Sequence, residues 1–445
     1  MSPVDTAIVP RWIVPIEPEL TVLEHHAVII RAGRIEAILP ESEARSAYPE
    51  ASFEVLSDHV LIPGLINAHS HSAMTLMRGI ADDKPLMDWL NNHIWPLEKR
   101  WVNESFVRDG TDLAIAEMIR GGTTTFNDMY FFPEVTAQQS VLRGMRAMIG
   151  MIVIDFPTAW AGNADEYIEK GLALRDTFRH EPRLKFDFAP HAPYTVSDQP
   201  LVRIRMLANE LDLPIHMHIH ETEDEITGSR QAVGMRPLNR LHQLGLLGPD
   251  LMAVHMTQLE PSEIALLAET GVHVIHCPES NLKLASGFCP VAELIAAGVN
   301  VALGTDGAAS NNDLDLLGEM RTAALLAKAV AKDASAVPAF KALHMATLGG
   351  ARALGIDEDV GSIVPGKYAD MTALRLDALE TQPLFNPISD LVYAASRHQV
   401  TDVWIEGRRV LKDRQLTTIN EQELRARIDH WRERLVSEPA SPNTH

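Results

Sequence analysis

Short apolar runs alternate with amphipathic segments over most of the chain, and this alternation constrains the fold more than any other feature. Eight runs are predicted to be strands: Leu61 to Ala68, Thr123 to Asp128, Arg146 to Ile154, Leu184 to Ala189, Pro214 to Ile219, Leu251 to His255, Val272 to His276 and Val299 to Gly304. Helical periodicity marks segments between them, including Phe106 to Arg120, Gln199 to Leu211, Ser262 to Glu269 and Pro290 to Ala297. Strands and helices in alternation predict an α/β fold, a (βα)8 TIM barrel.

The two ends of the chain have a different pattern, with strands and no helices expected in the N-terminal part. Ala27 to Ile30 and Arg34 to Leu39 flank a turn that contains glycine, and Val400 to Leu411 repeats this hairpin pattern. We therefore expect a small composite β-sandwich domain built from both termini. The expected division is residues 1–60 for its N-terminal part, 61–365 for the catalytic barrel, and 366–445 for its C-terminal part and a frayed polar tail from Glu438 to His445.

Composition limits the classes of partner. The formal net charge of −21 argues against nucleic acids and anionic membranes, because both require basic patches. Small neutral or cationic substrates remain open. The start of the sequence shows no secretory signal, and two cysteines are too few for a disulfide framework, so we expect a cytoplasmic location.

Metal-competent side chains stand at the ends of several predicted strands. The first strand ends in His69-x-His71, and residues two apart on a strand share one face, so both imidazoles could bind one ion. This pair alone is a weak signal. Four later stretches each contain an apolar run that is followed by His or Asp. They are Ile215 to Glu223, Ala253 to Met256, Val274 to Asn281 and Leu303 to Asp313. In a TIM barrel these strand ends meet at the catalytic face.

The fifth predicted strand offers three alternating histidines, and spacing alone does not choose among them. His218 fits best because Glu221 follows it closely, whereas His216 would lie deeper in the barrel and His220 beyond the strand. Together with His69, His71 and Asp306 this gives a mixed nitrogen and oxygen donor set. That set suits zinc, with iron and manganese as alternatives.

One divalent ion per chain is expected rather than two. A binuclear site would want a bridging group, often a modified lysine, at a middle strand end. The fourth predicted strand ends at Ala189, Pro190 and His191, and Lys185 lies near its other end. An open position on a single ion would hold water whose pKa is lowered to about 7.

Together these motifs resemble the amidohydrolase superfamily, and within it the methylthioadenosine/S-adenosylhomocysteine deaminases. The resemblance covers nearly the whole chain and rests on this set: HSH (His69 to His71), HxxE (His218 to Glu221), His255 at the end of the sixth strand, HCPxSN (His276 to Asn281) and TDGxxSNN (Thr305 to Asn312). It implies that His69, His71, His218 and Asp306 bind the metal.

The resemblance also implies roles around the substrate. Glu221 would handle the proton at the purine N1, His255 would steer the attacking hydroxide, and Glu98 and His191 would hold the ribose hydroxyls. The chemistry agrees, because an aminated ring carbon is a poor electrophile until the adjacent ring nitrogen is protonated. Asp306, costly to bury without a function, can accept the proton of the water. His276 and Ser280 are expected either to support the ligands from behind or to shape a loop, and Ser310 and Asn312 to make loop contacts.

The expected activity is metal-dependent hydrolytic deamination of adenosine-type nucleosides, above all 5'-methylthioadenosine, with S-adenosylhomocysteine and adenosine as further substrates. One alternative keeps the site but changes the ring to guanine, cytosine or an s-triazine. An alternative of another class, a metal-dependent amide or ester hydrolase, would be supported by a second metal. A purely structural metal site would need neither Glu221 nor His255. Homo-oligomer formation is left open.

The 5' substituent is predicted from the third strand and its following loop. Arg146 to Gly171 contains no arginine after Arg146, so an anionic amino-acid tail would find no bidentate partner there. A methylthio group could instead contact soft and aromatic side chains, namely Met148, Met151, Phe156, Pro157 and Trp160. The phosphate-loop-like stretch Gly361 to Asp370 is interpreted as a turn, because no strand precedes it.

Overall fold

The computed structural model describes residues 6–437, which form two sheets and their connecting helices. In chain order the strands are β1 (Thr6–Ile13), β2 (Leu23–Glu24), β3 (His26–Arg31), β4 (Arg34–Pro40), β5 (Ser52–Pro63), β6 (Leu65–Ser70), β7 (Thr123–Asp128), β8 (Arg146–Val153), β9 (Leu184–Pro190), β10 (Ile215–Ile219), β11 (Leu251–His255), β12 (His273–His276), β13 (Val301–Leu303), β14 (Met371–Arg375), β15 (Val400–Ile405), β16 (Arg408–Lys412) and β17 (Gln415–Leu416). The predicted tail from Glu438 to His445 lies outside the described residues.

Helices fill most connections between these strands. They are α1 (Glu41–Ala47), α2 (Leu86–Trp89), α3 (Trp95–Trp101), α4 (Glu104–Arg120), α5 (Pro133–Arg143), α6 (Ala164–Phe178), α7 (Asp198–Leu211), α8 (Glu223–Val233), α9 (Pro237–Gln243), α10 (Pro261–Thr270), α11 (Pro278–Lys283), α12 (Val291–Ala296), α13 (Leu316–Ala331), α14 (Ala339–Met345), α15 (Leu348–Ala353), α16 (Pro387–Tyr393) and α17 (Glu421–Ser437). Short 3₁₀ helices span Ser72–Met77, Leu379–Thr381 and Arg397–Gln399, and a π-helix spans Leu90–Ile94. No helix of residues 6–437 is long and apolar enough to cross a bilayer.

Strands β6 to β13 form the predicted eight-stranded parallel barrel, each paired with its neighbour in sequence. A bridge between Ser70 and Asp306 joins the first strand to the segment after the last, where the Asp306 backbone N–H donates to the His69 carbonyl at 3.1 Å. Strand β8 is buried at every residue because helices cover the outside of the barrel. The TIM barrel prediction is confirmed.

The predicted first strand, Leu61 to Ala68, is divided in the structure. Strand β5 carries Leu61 to Pro63 into the small sheet, and β6 begins only at Leu65. Between them, the Gly64 backbone N–H donates to the Asp370 carbonyl at 2.9 Å. A Cβ at Gly64 would lie 2.1 Å from the Thr124 side chain, so only glycine fits where the chain passes from one sheet to the other.

The small sheet contains strands from both ends of the chain, as the composite domain requires. Its order is β17-β16-β15-β14-β5-β1-β3-β4, with β2 paired to β1. One face buries an apolar core that includes Ile8, Val28 and Trp404. The fold is therefore the predicted α/β barrel with a β-sandwich domain.

The expectation of an N-terminal part without helices is wrong at α1. This helix places Ala44 on the second face of the small sheet, against Ala7, Val9, Ala27 and Ile29. Acidic residues in its first turn and an ion pair from Arg45 to Glu41 stabilise so short a helix. Helix α1 therefore buries an apolar face of the small sheet, and the hairpin patterns in the sequence did not predict it.

The stretch from Gly361 to Asp370 is a turn between the barrel and the small sheet, as interpreted from the sequence. The Lys367 amine lies 2.6 Å from Ser362 Oγ and 3.3 Å from Glu17 Oε2, so it is engaged within the domain. The backbone N–H of Gly366 donates to the Ile35 carbonyl of β4. This lysine is therefore not displayed for a phosphate.

A buried ion pair holds the barrel against the small sheet. Arg146 at the start of β8 contacts Asp370 at 2.8 Å, and their side chains are only 6% and 1% exposed. Asp370 also accepts the Glu406 backbone N–H at 2.7 Å. The carboxylate thus connects barrel strand β8, the end of the turn and the β15–β16 hairpin.

We predict that Asp370→Ala lowers the free energy of unfolding by about 3 to 5 kcal/mol, because it leaves the buried Arg146 charge with only the more distant Glu406 carboxylate at 3.8 Å. The measurement is denaturant unfolding at pH 7. Asp377→Ala, which removes the exposed partner of Arg375, is the matched control and should cost less than about 0.5 kcal/mol. Equal losses in the two variants would contradict the role of the buried pair.

Candidate active site

The four predicted metal ligands lie together at the carboxyl end of the barrel. His69 and His71 come from the end of β6, His218 from β10, and Asp306 follows β13. His69 Nε2 lies 3.2 Å from His218 Nε2 and 3.3 Å from Asp306 Oδ1, which is 3.2 Å from His71 Nε2. Three imidazole nitrogens and one carboxylate oxygen therefore converge on one small volume.

Hydrogen bonds orient these side chains from behind. The Nδ1 atom of His71 contacts the Met129 carbonyl at 2.6 Å, and that of His218 contacts the His191 carbonyl at 2.7 Å. A carbonyl oxygen only accepts, so each Nδ1 carries the proton and each Nε2 lone pair faces inward. Such a donor set, with the outer nitrogens of His71 and His218 bound to carbonyls, fits a divalent zinc ion.

Asp306 is held ionised in spite of its burial. Its Oδ2 accepts hydrogen bonds from Ser280 Oγ at 2.6 Å and Ser310 Oγ at 2.8 Å. Burial raises the pKa of this carboxyl, but hydrogen bonds from His69 and His71 outweigh that effect and keep it well below its usual value. Ser280 and Ser310 thus contact the carboxylate directly.

The imidazoles differ in their proton affinity. Burial lowers the pKa of His69 to about 4 and also lowers that of His218, so both are neutral at pH 7. Burial opposes protonation of His71 too, but the hydrogen bond to Asp306 and its charge raise the pKa of His71 to about 9. An ion bound here must displace that proton, so its affinity falls as the pH falls.

Glu221 and His255 face each other beside this cluster. The Glu221 carboxylate lies 3.7 Å from His255 Nε2, and His255 Nδ1 contacts Asn281 Oδ1 at 2.8 Å. Burial raises the pKa of Glu221, and the charge of His255 partly opposes that rise. His255 also forms a possible ligand group with His69 and His218, besides the group of His69, His71 and Asp306. Geometry alone therefore allows His255 either role.

A cavity of about 580 Å³ opens above these residues. The lining includes His71, His218, Glu221, His255 and Asp306 at its base, with Glu98, Tyr130, His191 and Tyr194 on its walls. Glu98 Oε1 accepts a hydrogen bond from the Tyr130 hydroxyl at 2.8 Å, and burial raises the pKa of Glu98 to about 7 against the effect of that bond. The contacts predicted for the purine and the ribose, Glu98, His191, Glu221 and Asp306, thus border one space.

The outer wall is the helical segment formed by α2, the π-helix and α3. It contributes Leu86, Trp89, Leu90, Ile94, Trp95, Glu98 and Lys99 to the cavity. Sequence reasoning identified Glu98 but not this wall, because its apolar residues resemble those of an ordinary buried helix. It also missed Tyr130 and Phe131, although they follow the end of β7 and so stand at the catalytic face.

The prediction for the third strand needs correction. Phe156 and Pro157 line the cavity, but Met148, Met151 and Trp160 do not. Met148 borders a different cavity together with Lys185 near the start of β9, and the Met151 side chain packs against Gly171 of α6. Only residues at or beyond the carboxyl end of a barrel strand reach the catalytic cavity, and both methionines precede that end.

Comparison with known proteins agrees with this geometry. The amidohydrolase family matches residues 60–410. A 5-methylthioadenosine/S-adenosylhomocysteine deaminase of Teredinibacter turnerae is 50% identical over 97% of this chain and 98% of its own. One of Saccharophagus degradans is 48% identical over 99% of both chains.

Among solved structures, an adenosine deaminase from Xanthomonas campestris with bound zinc superposes with a TM-score of 0.95 at 53% identity. The superposition covers 98% of this chain and 100% of that one. A guanine deaminase of E. coli, at 24% identity and a TM-score of 0.82 over 92% of this chain and 99% of its own, shares the fold. The chain therefore belongs to the amidohydrolase family, and within it to the group of the 5-methylthioadenosine/S-adenosylhomocysteine deaminases.

Proposed function

We propose that this protein is a zinc-dependent hydrolytic deaminase of adenosine-type nucleosides, and that 5'-methylthioadenosine is its main substrate. One observation carries the proposal: inward-facing imidazole nitrogens and a carboxylate converge at the base of a cavity that also holds a buried carboxyl group, Glu221. The names of the relatives from Teredinibacter turnerae and Saccharophagus degradans agree with it.

One zinc ion per chain would be held by His69, His71, His218 and Asp306. A bound zinc ion supplies the Lewis acidity that makes water a nucleophile at neutral pH. The only lysine that lines the cavity among the described residues is Lys99, which is exposed on the outer wall, so no lysine stands where it could bridge a second ion. The zinc in the Xanthomonas campestris relative supports this choice of ion.

The protein side chains then transfer protons and orient the attacking water. Glu221 is buried and its raised pKa favours the protonated form, which can donate to a ring nitrogen of the substrate. His255 Nδ1 is engaged by Asn281, so Nε2 is free to orient the attacking water. Asp306 accepts a proton from that water. The water oxygen bonds to the aminated carbon as Glu221 protonates the ring nitrogen. The added hydroxyl then returns its proton to Glu221, Asp306 passes its proton to the amine, and the C–N bond breaks to release ammonia.

The cavity fits a nucleoside better than a free base. Its volume of about 580 Å³ lies within the range of pockets that enclose small molecules. Glu98 and His191 on its walls offer polar groups for the two ribose hydroxyls, and His191 Nδ1 is itself fixed 3.0 Å from Thr195 Oγ1. A free purine base would leave these polar groups without partners.

We also propose a cytoplasmic location and no nucleic-acid partner. Both cysteines, Cys277 and Cys289, are free and buried, which suits a reducing compartment. The net charge of −21 opposes contact with polynucleotides. Homo-oligomer formation stays a question for a sizing experiment.

An ultraviolet assay of the zinc-loaded protein tests the substrate class. Candidate substrates are 5'-methylthioadenosine, S-adenosylhomocysteine, adenosine, guanine and cytosine at equal concentration. We expect the nucleosides to be deaminated and the free bases to be turned over far more slowly. Preferential turnover of guanine or cytosine would show that the substrate is a free base with another ring, and not an adenosine-type nucleoside.

We predict that kcat/KM is highest for 5'-methylthioadenosine, intermediate for adenosine and lowest for S-adenosylhomocysteine. No arginine lines the described cavity, whereas Trp95, Phe156 and Pro157 offer apolar contacts to a methylthio group. A missing charged contact costs about 1.5 to 3 kcal/mol, or roughly one to two decades in specificity. Equal or better use of S-adenosylhomocysteine would contradict this order.

Lys99 serves as the internal control for that comparison. It is the one cation other than histidine on the described cavity lining, and it is exposed. If it bound the carboxylate of S-adenosylhomocysteine, Lys99→Ala would lower kcat/KM for that substrate alone. We expect instead that the ratio of the two kcat/KM values changes less than about twofold, since an exposed point charge contributes little.

We predict that Glu221→Gln retains zinc but loses about 10² to 10⁴ in kcat, because glutamine cannot transfer a proton. The measurement is kcat together with zinc per chain by metal analysis. Glu223→Gln, at the start of α8 and away from the cavity lining, is the matched control and should keep full activity. A Glu221→Gln protein with near-normal kcat would exclude this residue as the acid.

We predict that His255→Ala also retains one zinc per chain while kcat falls, because the proposed role of His255 is on the nucleophile. Geometry alone would allow it to act as a ligand with His69 and His218. Metal analysis decides between the two roles. Loss of zinc from His255→Ala, as expected for His218→Ala, would make His255 a ligand.

A further inference from the structure

A chain of polar groups lies below the proposed zinc ligands, inside the barrel, and the proposed reaction does not use it. His69 Nδ1 lies 2.9 Å from His216 Nε2, and His216 Nδ1 lies 3.6 Å from Asp187 Oδ2. Asn127 Nδ2 lies 3.1 Å from Asp187 Oδ2 and 3.2 Å from His216 Nδ1. All four side chains are fully buried.

Packing does not explain these residues. The interior of a TIM barrel is normally filled by branched apolar side chains, and a buried carboxyl group costs free energy unless it has partners. Asp187 Oδ1 and Asn127 Oδ1 have no hydrogen-bond partner among the described residues, so the cluster is not even fully satisfied. A cost of this kind at the base of a site suggests that the cluster acts on the site.

The proposed ligand histidines differ in what holds their outer nitrogens. His71 and His218 each contact a backbone carbonyl, which can only accept, so their protons are fixed on Nδ1. His69 contacts the imidazole of His216, which can either donate or accept at Nε2. The tautomer of His69 is therefore the only one of the three that another side chain must decide.

The positions of the protons on His69 and His216 explain the role of Asp187. His69 can offer Nε2 to a metal only if its proton is on Nδ1, which requires His216 Nε2 to accept and His216 Nδ1 to carry a proton. That Nδ1–H needs an acceptor, and Asp187 Oδ2 is the carboxylate that faces it. The Asn127 amide donates to the same oxygen and holds it in place.

The competing arrangement needs no movement of the chain, because Asn127 Nδ2 already lies 3.2 Å from His216 Nδ1, whereas Asp187 Oδ2 lies 3.6 Å from it. If Asn127 Nδ2 donated to His216 Nδ1 instead, the proton of His216 would move to Nε2 and that of His69 to its own Nε2. The nitrogen that faces Asp306 and His218 would then be blocked. The bond from Asn127 to Asp187 leaves the second amide proton free, so that bond alone does not exclude this arrangement. The negative charge of Asp187, 3.6 Å from His216 Nδ1, favours a proton on that nitrogen, which then has no lone pair to accept the amide.

We propose that Asp187, acting through His216, sets the tautomer of His69 that can bind the metal, and that it is a positioning residue of the site. The proposal rests on His69 being a zinc ligand, as proposed above. Outer partners of metal-bound histidines typically contribute about 10 to 100-fold in metal affinity. The polar layer of the barrel interior is thus part of the metal site.

Zinc competition with a chromogenic chelator tests the proposal without any assay of turnover. We expect Asp187→Asn to raise the zinc dissociation constant about 10 to 100-fold, because an asparagine carries no negative charge to favour the proton on His216 Nδ1. Asp402→Asn removes a buried carboxylate of the small sheet that pairs with Arg409, and it should leave zinc affinity unchanged. An Asp187→Asn protein that binds zinc within twofold of the wild type overturns the proposal.

A double substitution separates a tautomer effect from simple damage to the core. In His216→Gln the amide oxygen can accept the His69 Nδ1 proton, and no ring tautomer remains for Asp187 to decide. Asp187→Asn should therefore have little further effect on zinc affinity in that background. Additive losses would mean that Asp187 acts in another way and would overturn the proposal.

Nitrogen-15 spectra of the zinc-loaded wild type give a readout that does not require any variant to fold. Both His69 and His216 should carry their protons on Nδ1, and a proton on Nε2 of His216 would overturn the proposal. The outcomes also remain distinct from those for the proposed function. Wild-type protein that binds zinc but deaminates nothing contradicts the deaminase, whereas only the Asp187 comparison and these spectra decide the present inference.

Discussion

The contact between the first and last strands closes the barrel and assembles the metal site in the same step. Asn67 of β6 donates to Thr305 Oγ1 at 2.7 Å, and the Thr305 backbone N–H donates back to the Asn67 side chain at 3.0 Å. One residue later, the Asp306 N–H donates to the His69 carbonyl. His69 and His71 are thereby brought to Asp306 from opposite ends of a stretch of more than two hundred residues. A barrel that failed to close would have no complete donor set.

The site combines buried polar groups with unusual backbone geometry at the strand ends. His220, His255 and Asp306 have φ values of 55°, 74° and 59°, a left-handed region that residues other than glycine rarely adopt. Such conformations persist only where surrounding contacts determine them, and here Asp306 has both serine hydroxyls and a backbone N–H on its carboxylate. The barrel scaffold thus stabilises backbone conformations at these strand ends that are unfavourable for the residues themselves. The same scaffold is secured to the small sheet by Arg146 and Asp370, at the end of the barrel away from the chemistry.

The sequence predicted more of the barrel than of its surroundings. Strand and helix periodicity located all eight barrel strands, because most of them are apolar runs and nearly all their residues are buried. The boundary at Gly64 was missed, because Leu61 to Ala68 is one continuous apolar run while the two sheets divide it. Helix α1 was missed because a short helix of polar residues has little periodicity, and its reason to exist is the face of the small sheet that it covers. The outer wall of the cavity and Tyr130 were missed because the cavity is lined by residues from many separate segments, and no single segment shows its shape.

The sequence by itself determined which chemical groups the site contains: the strand-end histidines, the acid that follows β13 and Glu221 bring nitrogen and oxygen donors together, and the proposed roles are metal binding for the first two and proton transfer for Glu221. Strand periodicity also determined which end of the barrel they share. Only the tertiary structure decided which atoms meet, that Nε2 and not Nδ1 of each ligand histidine faces inward, and that Met148 and Met151 lie outside the cavity. It alone revealed that Asp187 and Asn127 lie beside His216, which in turn contacts His69. The physical reason is that residue type and spacing are local properties, whereas hydrogen-bond direction and cavity shape depend on strands brought together from distant parts of the chain.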